Sequence, residues 1–224
     1  MKAYLSTHLP IIGLLLYCSA VCGFSQVVSQ KQGNIYFTAK DGPVTQLTTS
    51  ALDSDPSLSM DGQLVAFVRR TPSLLIMTGH GEVDNNELWI TPISELEPPR
   101  RVLVGHPGGF DQTAEIEDFV LAGFYSPQFS PDSNRLYFLQ GTWATSNAIL
   151  VLDLRSGKAR FLCAGLSVEV ITSGRFRGYL IANKEIPRVV PPARVFRYWL
   201  LDSDGKEVGE IGEEKSDVEE FKNP

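Results

Sequence analysis

From residue 34 onward, apolar and polar positions alternate in short runs separated by turn residues, the two-residue period of half-buried strands. The stretch "YSPQFSPDSNRLYFLQG" (125–141) shows it most clearly, with two alternating runs joined at Ser130-Pro131-Asp132. "DPSLSMDGQLVAFVRR" (55–70) repeats it without a gap, placing Pro56 with Pro127, Leu58 with Phe129, Ser59 with Ser130, Asp61 with Asp132 and Phe67 with Phe138. Pro131 presets φ for a turn, and Ser and Asp hydrogen-bond nearby backbone groups, so the motif predicts a hairpin corner. Gly62 accepts a positive φ where the second copy has Ser133. The Ser and Asp pair therefore reads as scaffold, because it recurs with Met60 in place of Pro131.

A second hairpin type occurs at 34–49, 87–104, 148–163 and 197–212, with an alternating strand, a polar turn and a shorter amphipathic strand. Asp41-Gly42, Ser156-Gly157 and Asp204-Gly205 are its turn dipeptides, and Pro98-Pro99 marks a longer version. Residues 166–185 take the place of a first-type hairpin without its Ser-Pro-Asp core. Pro127 to Val168 is 41 residues, whereas Pro56 to Pro127 is 71. Against a four-strand repeat of roughly 40–45 residues, the longer interval holds about 30 extra. These are assigned to insertions at 71–87 and 105–123.

Strand hairpins at this period, with almost no sustained helical pattern, predict an all-β fold: a partial or small β-propeller of four-stranded antiparallel blades. The copies "PSLSMDGQLVAF" and "PQFSPDSNRLYF", each followed by a strand such as "ELWI" or "AILVLDLRSG", resemble the WD40-like repeats of TolB-type propellers. Similar repeats occur in the propeller domains of prolyl oligopeptidase and dipeptidyl peptidase enzymes. The resemblance covers residues 33–165 well and 166–212 weakly, and it implies a scaffold whose loops bind another protein. It carries no contact residue over. About three and a half blades are countable, short of the usual four to eight. Such an array would close as a very small ring, take strands from a partner chain, a second copy or the tail, or belong to a truncated relative; an open or partner-completed propeller is expected.

The segment "MKAYLSTHLPIIGLLLYCSAVCGFSQ" has Lys2, an apolar run from Leu9 to Val21 and small residues near Ala20 and Gly23. This is the layout of an export signal over residues 1–25, and the run is short of the ~20 residues of a membrane span. A periplasmic or secreted location follows, with no transmembrane segment after signal removal. Tyr17 before Cys18 and Val21 before Cys22 argue against a lipid-attachment site. Cys163 then stands alone and reads as a core thiol in phase with Phe161. The repeats end near 212, and the acidic residues 213–224 read as a flexible tail.

A net charge of −6 and a pI near 5.1 exclude a general nucleic-acid binder. No G-x-S-x-G nucleophile elbow occurs, so a self-contained serine hydrolase is not expected. The insertions carry His80, Glu82, Asp84, His106, Asp111, Glu115, Glu117 and Asp118. Long loops on a rigid scaffold hold binding residues, so His80, Asp84, His106, Asp111, Glu115 and Asp118, with the loop aromatic Trp143, are the candidate contacts to an envelope or extracellular protein or to a ligand. Their spacing fits no metal-ligand pattern, and no cofactor is expected. The competing reading is a remnant or accessory propeller of a hydrolase, or a carbohydrate-active lyase with a His and carboxylate site. Trp89 and Tyr198 read as core, and Arg175 and Arg177 as a solvated edge.

Overall fold

The computed structural model describes residues 26–40, 42–78, 81–94, 97–104, 123–141, 147–187 and 194–223, the side chains of 72–78, 81–84, 187 and 194 excepted. These residues form four antiparallel sheets and one helix. The first sheet comprises β1 (Val27–Lys31), β2 (Asn34–Thr38) and β3 (Val44–Gln46). The second comprises β4 (Asp53–Leu58), β5 (Leu64–Thr78), β6 (Gly81–Pro92) and β7 (Arg100–Val104). In the third are β8 (Phe124–Phe129), β9 (Arg135–Gln140), β10 (Asn147–Asp153) and β11 (Ala159–Gly165). The fourth holds β12 (Ser167–Val170), β13 (Leu180–Pro187), β14 (Arg194–Leu201) and β15 (Glu207–Gly212), followed by α1 (Lys215–Lys222). Each sheet is a meander in chain order, the propeller-blade arrangement.

Neighbouring sheets pack face to face in a fixed way. β5 and β6 lie against β8, and β9 and β10 lie against β12. β1 and β2 lie against β4 in the same manner, so β1, β2 and β3 are the second, third and fourth strands of a blade. The first blade lacks its innermost strand among the described residues, and β1 is a strand the sequence pattern did not reveal. Its sequence, VVSQK, alternates too weakly, and most of it is exposed.

Between each pair of sheets sits one apolar layer. Ile35, Val65 and Phe67 fill the first, and Ala66, Leu88, Phe124, Leu136 and Phe138 fill the second. Tyr137, Ile149, Val151, Val168, Leu180 and Leu201 fill the third. Fully burying one such Leu or Phe side chain is worth about 1.5–3 kcal/mol. No comparable packing joins the first sheet to the fourth among the described residues. Over the described residues the array is open.

Two expectations are corrected. Residues 213–224 are not a flexible tail over their described length, because α1 buries Val218 against Ile171, Ile181 and Leu200 and stacks Phe221 on Phe176. Cys163 is not in phase with Phe161: a bulge between Ile149 and Leu150 leaves Leu162 without a register partner. Leu162 and Cys163 both pack inward, and Phe161 is an exposed apolar side chain. Desolvation pushes the Cys163 thiol up to about 11.

Candidate functional site

The meander gives the array two unlike ends. At one, first strand meets second and third meets fourth through short turns. In two blades the first-to-second corner is the Ser-x-Asp motif. Ser130 Oγ donates to Asp132 Oδ1 and accepts from Arg135 N at 2.9 Å, while Asn134 N donates to Asp132 at 3.2 Å. Its twin matches bond for bond, with Ser59 Oγ on Asp61 at 2.6 Å and Leu64 N on Ser59 Oγ at 2.9 Å. Ser133 (φ 58°) and Gly62 (φ 67°) take the same left-handed conformation. The hydrogen bonds from Ser130 and Asn134 lower Asp132 to about 2, so its carboxylate is too weak a base to activate Ser130 at neutral pH. The corner is structural.

At the opposite end lie the second-to-third connections and the crossovers between blades. Here β5 and β6 run to 15 and 12 residues, against 6 and 7 for β9 and β10. Much of the 71–87 insertion thus extends the blade as a hairpin arm, with Leu75, Ile76, Met77 and Thr78 opposite Asp84, Val83, Glu82 and Gly81. From Arg70 opposite Asn86 to the tip there are six residue pairs, a projection of roughly 20 Å at about 3.4 Å per residue. Of the candidate contacts, Asp84 lies on this arm at β6, its side chain outside the described residues. His80, His106, Asp111, Glu115, Asp118 and Trp143 lie outside the described residues altogether. The strand ends that flank them, Thr78 and Gly81, Val104 and Phe124, Gln140 and Asn147, all open onto this one end.

The described base of this end is a polar lattice that sequence reading missed. Three asparagines, each at the entry to a blade's third strand, reach across to the crossover entering the next blade. Asn34 Oδ1 accepts from Ala51 N at 2.9 Å, and Asn147 Nδ2 donates to Leu166 O at 3.3 Å. Asn86 Oδ1 accepts from Phe124 N at 2.8 Å and Gly123 N at 3.2 Å, while its Nδ2 donates to Phe124 O at 2.9 Å. The signal was an Asn opening three of the second-type hairpins. Gln128 does the same work nearer the axis, donating to Val168 O at 2.8 Å and accepting from Val170 N at 3.0 Å.

Between the first two blades the lattice becomes ionic. Arg69 forks onto buried Asp53, Nε to Oδ1 at 2.6 Å and Nη2 to Oδ2 at 3.0 Å, and its guanidinium lies 4.2 Å from the Trp89 ring centroid. Trp89 Nε1 donates to Glu87 at 2.9 Å, and Arg101 donates to the same carboxylate at 2.7 Å. Two cations and two anions cancel, which is the condition under which charges persist in a partly dry site. At the axis, Asp55 (φ 50°) and Ser126 (φ 51°) occupy matching bulges of β4 and β8, each before a proline, and Ser126 N donates to Asp55 Oδ2 at 3.3 Å. Among the described residues no three His, Cys, Asp or Glu side chains gather as metal ligands would.

This architecture is a β-propeller array. No family model and no curated protein matches the sequence, but solved structures share the fold. TolB from Acinetobacter baumannii is 17% identical with a TM-score of 0.51, over 84% of this chain and 40% of that one. The dipeptidyl peptidase 4 of Porphyromonas gingivalis is 12% identical at 0.52, over 83% of this chain and 31% of that one. An oligogalacturonate lyase solved in complex with manganese is 13% identical at 0.50, over 81% and 42%. The fold is thus a TolB-like β-propeller, and the chain spans less than half the length of each of these structures.

Proposed function

We propose that this protein is an exported, non-enzymatic scaffold that binds another envelope or extracellular protein through the loop-bearing end of its blades. One observation carries the reading: the projecting β5–β6 arm and all strand ends flanking the candidate residues open onto the same end, whereas tight self-satisfied turns close the other. A rigid base with variable connections on one side is the arrangement of a recognition surface. Lys2 and the apolar run after it support export. Among the described residues no helix is long and apolar enough to cross a membrane.

Photo-crosslinking side chains placed at Asp84 or Trp143, and for comparison at Lys158 or Lys206 on the turn-bearing end, test the reading in the producing cell. Adducts of one defined mass from the first pair alone are expected. Equal adducts from both ends, or none from Asp84 and Trp143, contradict it. The competing lyase or hydrolase reading places a His and carboxylate site in the same loops. Stoichiometric manganese binding that disappears in the His80→Ala/His106→Ala protein would support that reading and overturn the scaffold proposal.

A further inference from the structure

The two outer faces of the array differ. On the first sheet, the face turned away from the second sheet, opposite the one that carries Val28 and Ile35, sets Ser29, Lys31, Asn34, Tyr36, Thr38 and Gln46 beside exposed Val27 and Val44. Its polar side chains outnumber its apolar ones, and the two valines flank Thr38 at one end of the strands. The outer face of the fourth sheet is apolar, with Ile171, Ile181, Leu200, Tyr179 and Tyr198. Each earlier blade covers such a face with the next blade. Here α1 covers it.

The helix is fitted to this duty. Eight residues are too few for a stable isolated helix, so α1 exists through its packing. Val218 is buried to 3% exposure at the centre of the contact. Phe221 stacks on Phe176 at 5.2 Å between ring centroids, over the first turn of the blade. Lys222 pairs with Glu169 of the innermost strand at 3.0 Å, and Glu213, just before the helix, pairs with Arg197 of the third strand. The start of the helix is folded tightly back: Asp217 Oδ2 accepts from Glu213 N at 2.8 Å and Glu214 N at 2.9 Å. A methyl group on Gly212 would stand 2.1 Å from that same oxygen.

We propose that α1 is the end cap of an open blade array, and that it keeps the chain single by covering the face on which a second copy would otherwise pack. Repeat arrays need terminal units with a polar outer surface to remain soluble. Among the described residues the first sheet presents a mostly polar outer face, and α1 gives the fourth sheet another with exposed Glu219 and Glu220. The occupant of an uncapped face is defined by what is available to it. Contact with the first sheet of another copy would press Ser29, Lys31 and Gln46 against apolar side chains, whereas the uncapped fourth sheet of another copy offers matching apolar surface. The uncapped species is therefore a two-fold, fourth-sheet-to-fourth-sheet dimer.

The test uses the full chain carrying Val218→Asp and Phe221→Asp, with Glu220→Lys on the exposed helix side as control. Light scattering across a hundredfold concentration range should show the parent and E220K as single chains. The double variant should show a concentration-dependent dimer with several-fold higher fluorescence of an apolar-surface dye, and adding Ile211→Lys should return it to a single chain. A dimeric parent overturns the proposal. So does a double variant that binds dye yet stays single, or one that I211K leaves dimeric. Loss of the β-sheet circular dichroism signal in both V218D/F221D and the milder Val218→Ser protein also overturns it, because α1 would then belong to the core.

Discussion

Asn86 makes the most consequential single-residue contact at the loop-bearing end, since one side chain satisfies both amides and the carbonyl that begin the third blade. Asn86→Ala strands these groups, and we expect a loss of about 1–3 kcal/mol in denaturant unfolding. Arg69→Met leaves Asp53 buried without its partner and should cost about 3–5 kcal/mol, the effect of breaking a buried pair from one side. Asp61 and Asp132 act through pH. Hydrogen bonds from their Ser partners lower both carboxyls in the folded chain, so the stability they supply is present above the unfolded value of about 3.9 and fades as pH falls through the folded value, about 2 for Asp132. Unfolding midpoints should drop between about pH 4 and pH 2, and Asp132→Asn should flatten that drop. An unchanged slope in the variant would contradict the assignment. Cys163, raised to about 11 by burial, should resist thiol reagents at pH 8 until the protein unfolds.

At the scale of elements, hairpins were legible wherever turn chemistry and alternation agreed. The Ser-x-Asp corners and the second-type hairpins fall where the pattern put them, because Gly, Asp and Ser at fixed offsets impose backbone shapes independent of the rest of the chain. Features set by neighbours were not legible. The bulge at Leu162 moves Phe161 to the surface through a register shift against Ile149 and Leu150, which no period in one strand can announce. The helix α1 reads as an acidic tail because its apolar signal is only Val218 and Phe221, whose partners lie as much as 47 residues away. Gly212 tests this element: Gly212→Ala should push Asp217 off its amide partners and loosen α1, seen as faster hydrogen exchange over 213–223 while β13 and β14 stay protected. Uniform protection across 213–223 would count against the cap.

For the whole molecule, the sequence repeat defined the class of fold but left closure open, because closure depends on the faces at the two ends. The two described faces differ: a mixed, mostly polar surface on the first sheet and a covering helix on the fourth. The apolar layers between successive sheets, with Asn34, Asn86, Asn147 and Gln128 across the junctions, hold the four described blades in sequence, with no ring closed among the described residues. The excess length between Pro56 and Pro127 made the insertions legible, and with them the strand ends that flank the candidate contacts. Their common end was not, because it follows from strand direction within each meander. The asparagine lattice depends on cross-blade proximity and the Arg69 network on the pairing of strands within the second sheet, and spacing along the chain encodes neither. The central claim, an open array that needs no second copy, is tested most directly by the mass of the unaltered chain in solution over a broad range of concentration. A single-chain mass throughout is predicted, and a dimer that persists on dilution would contradict it.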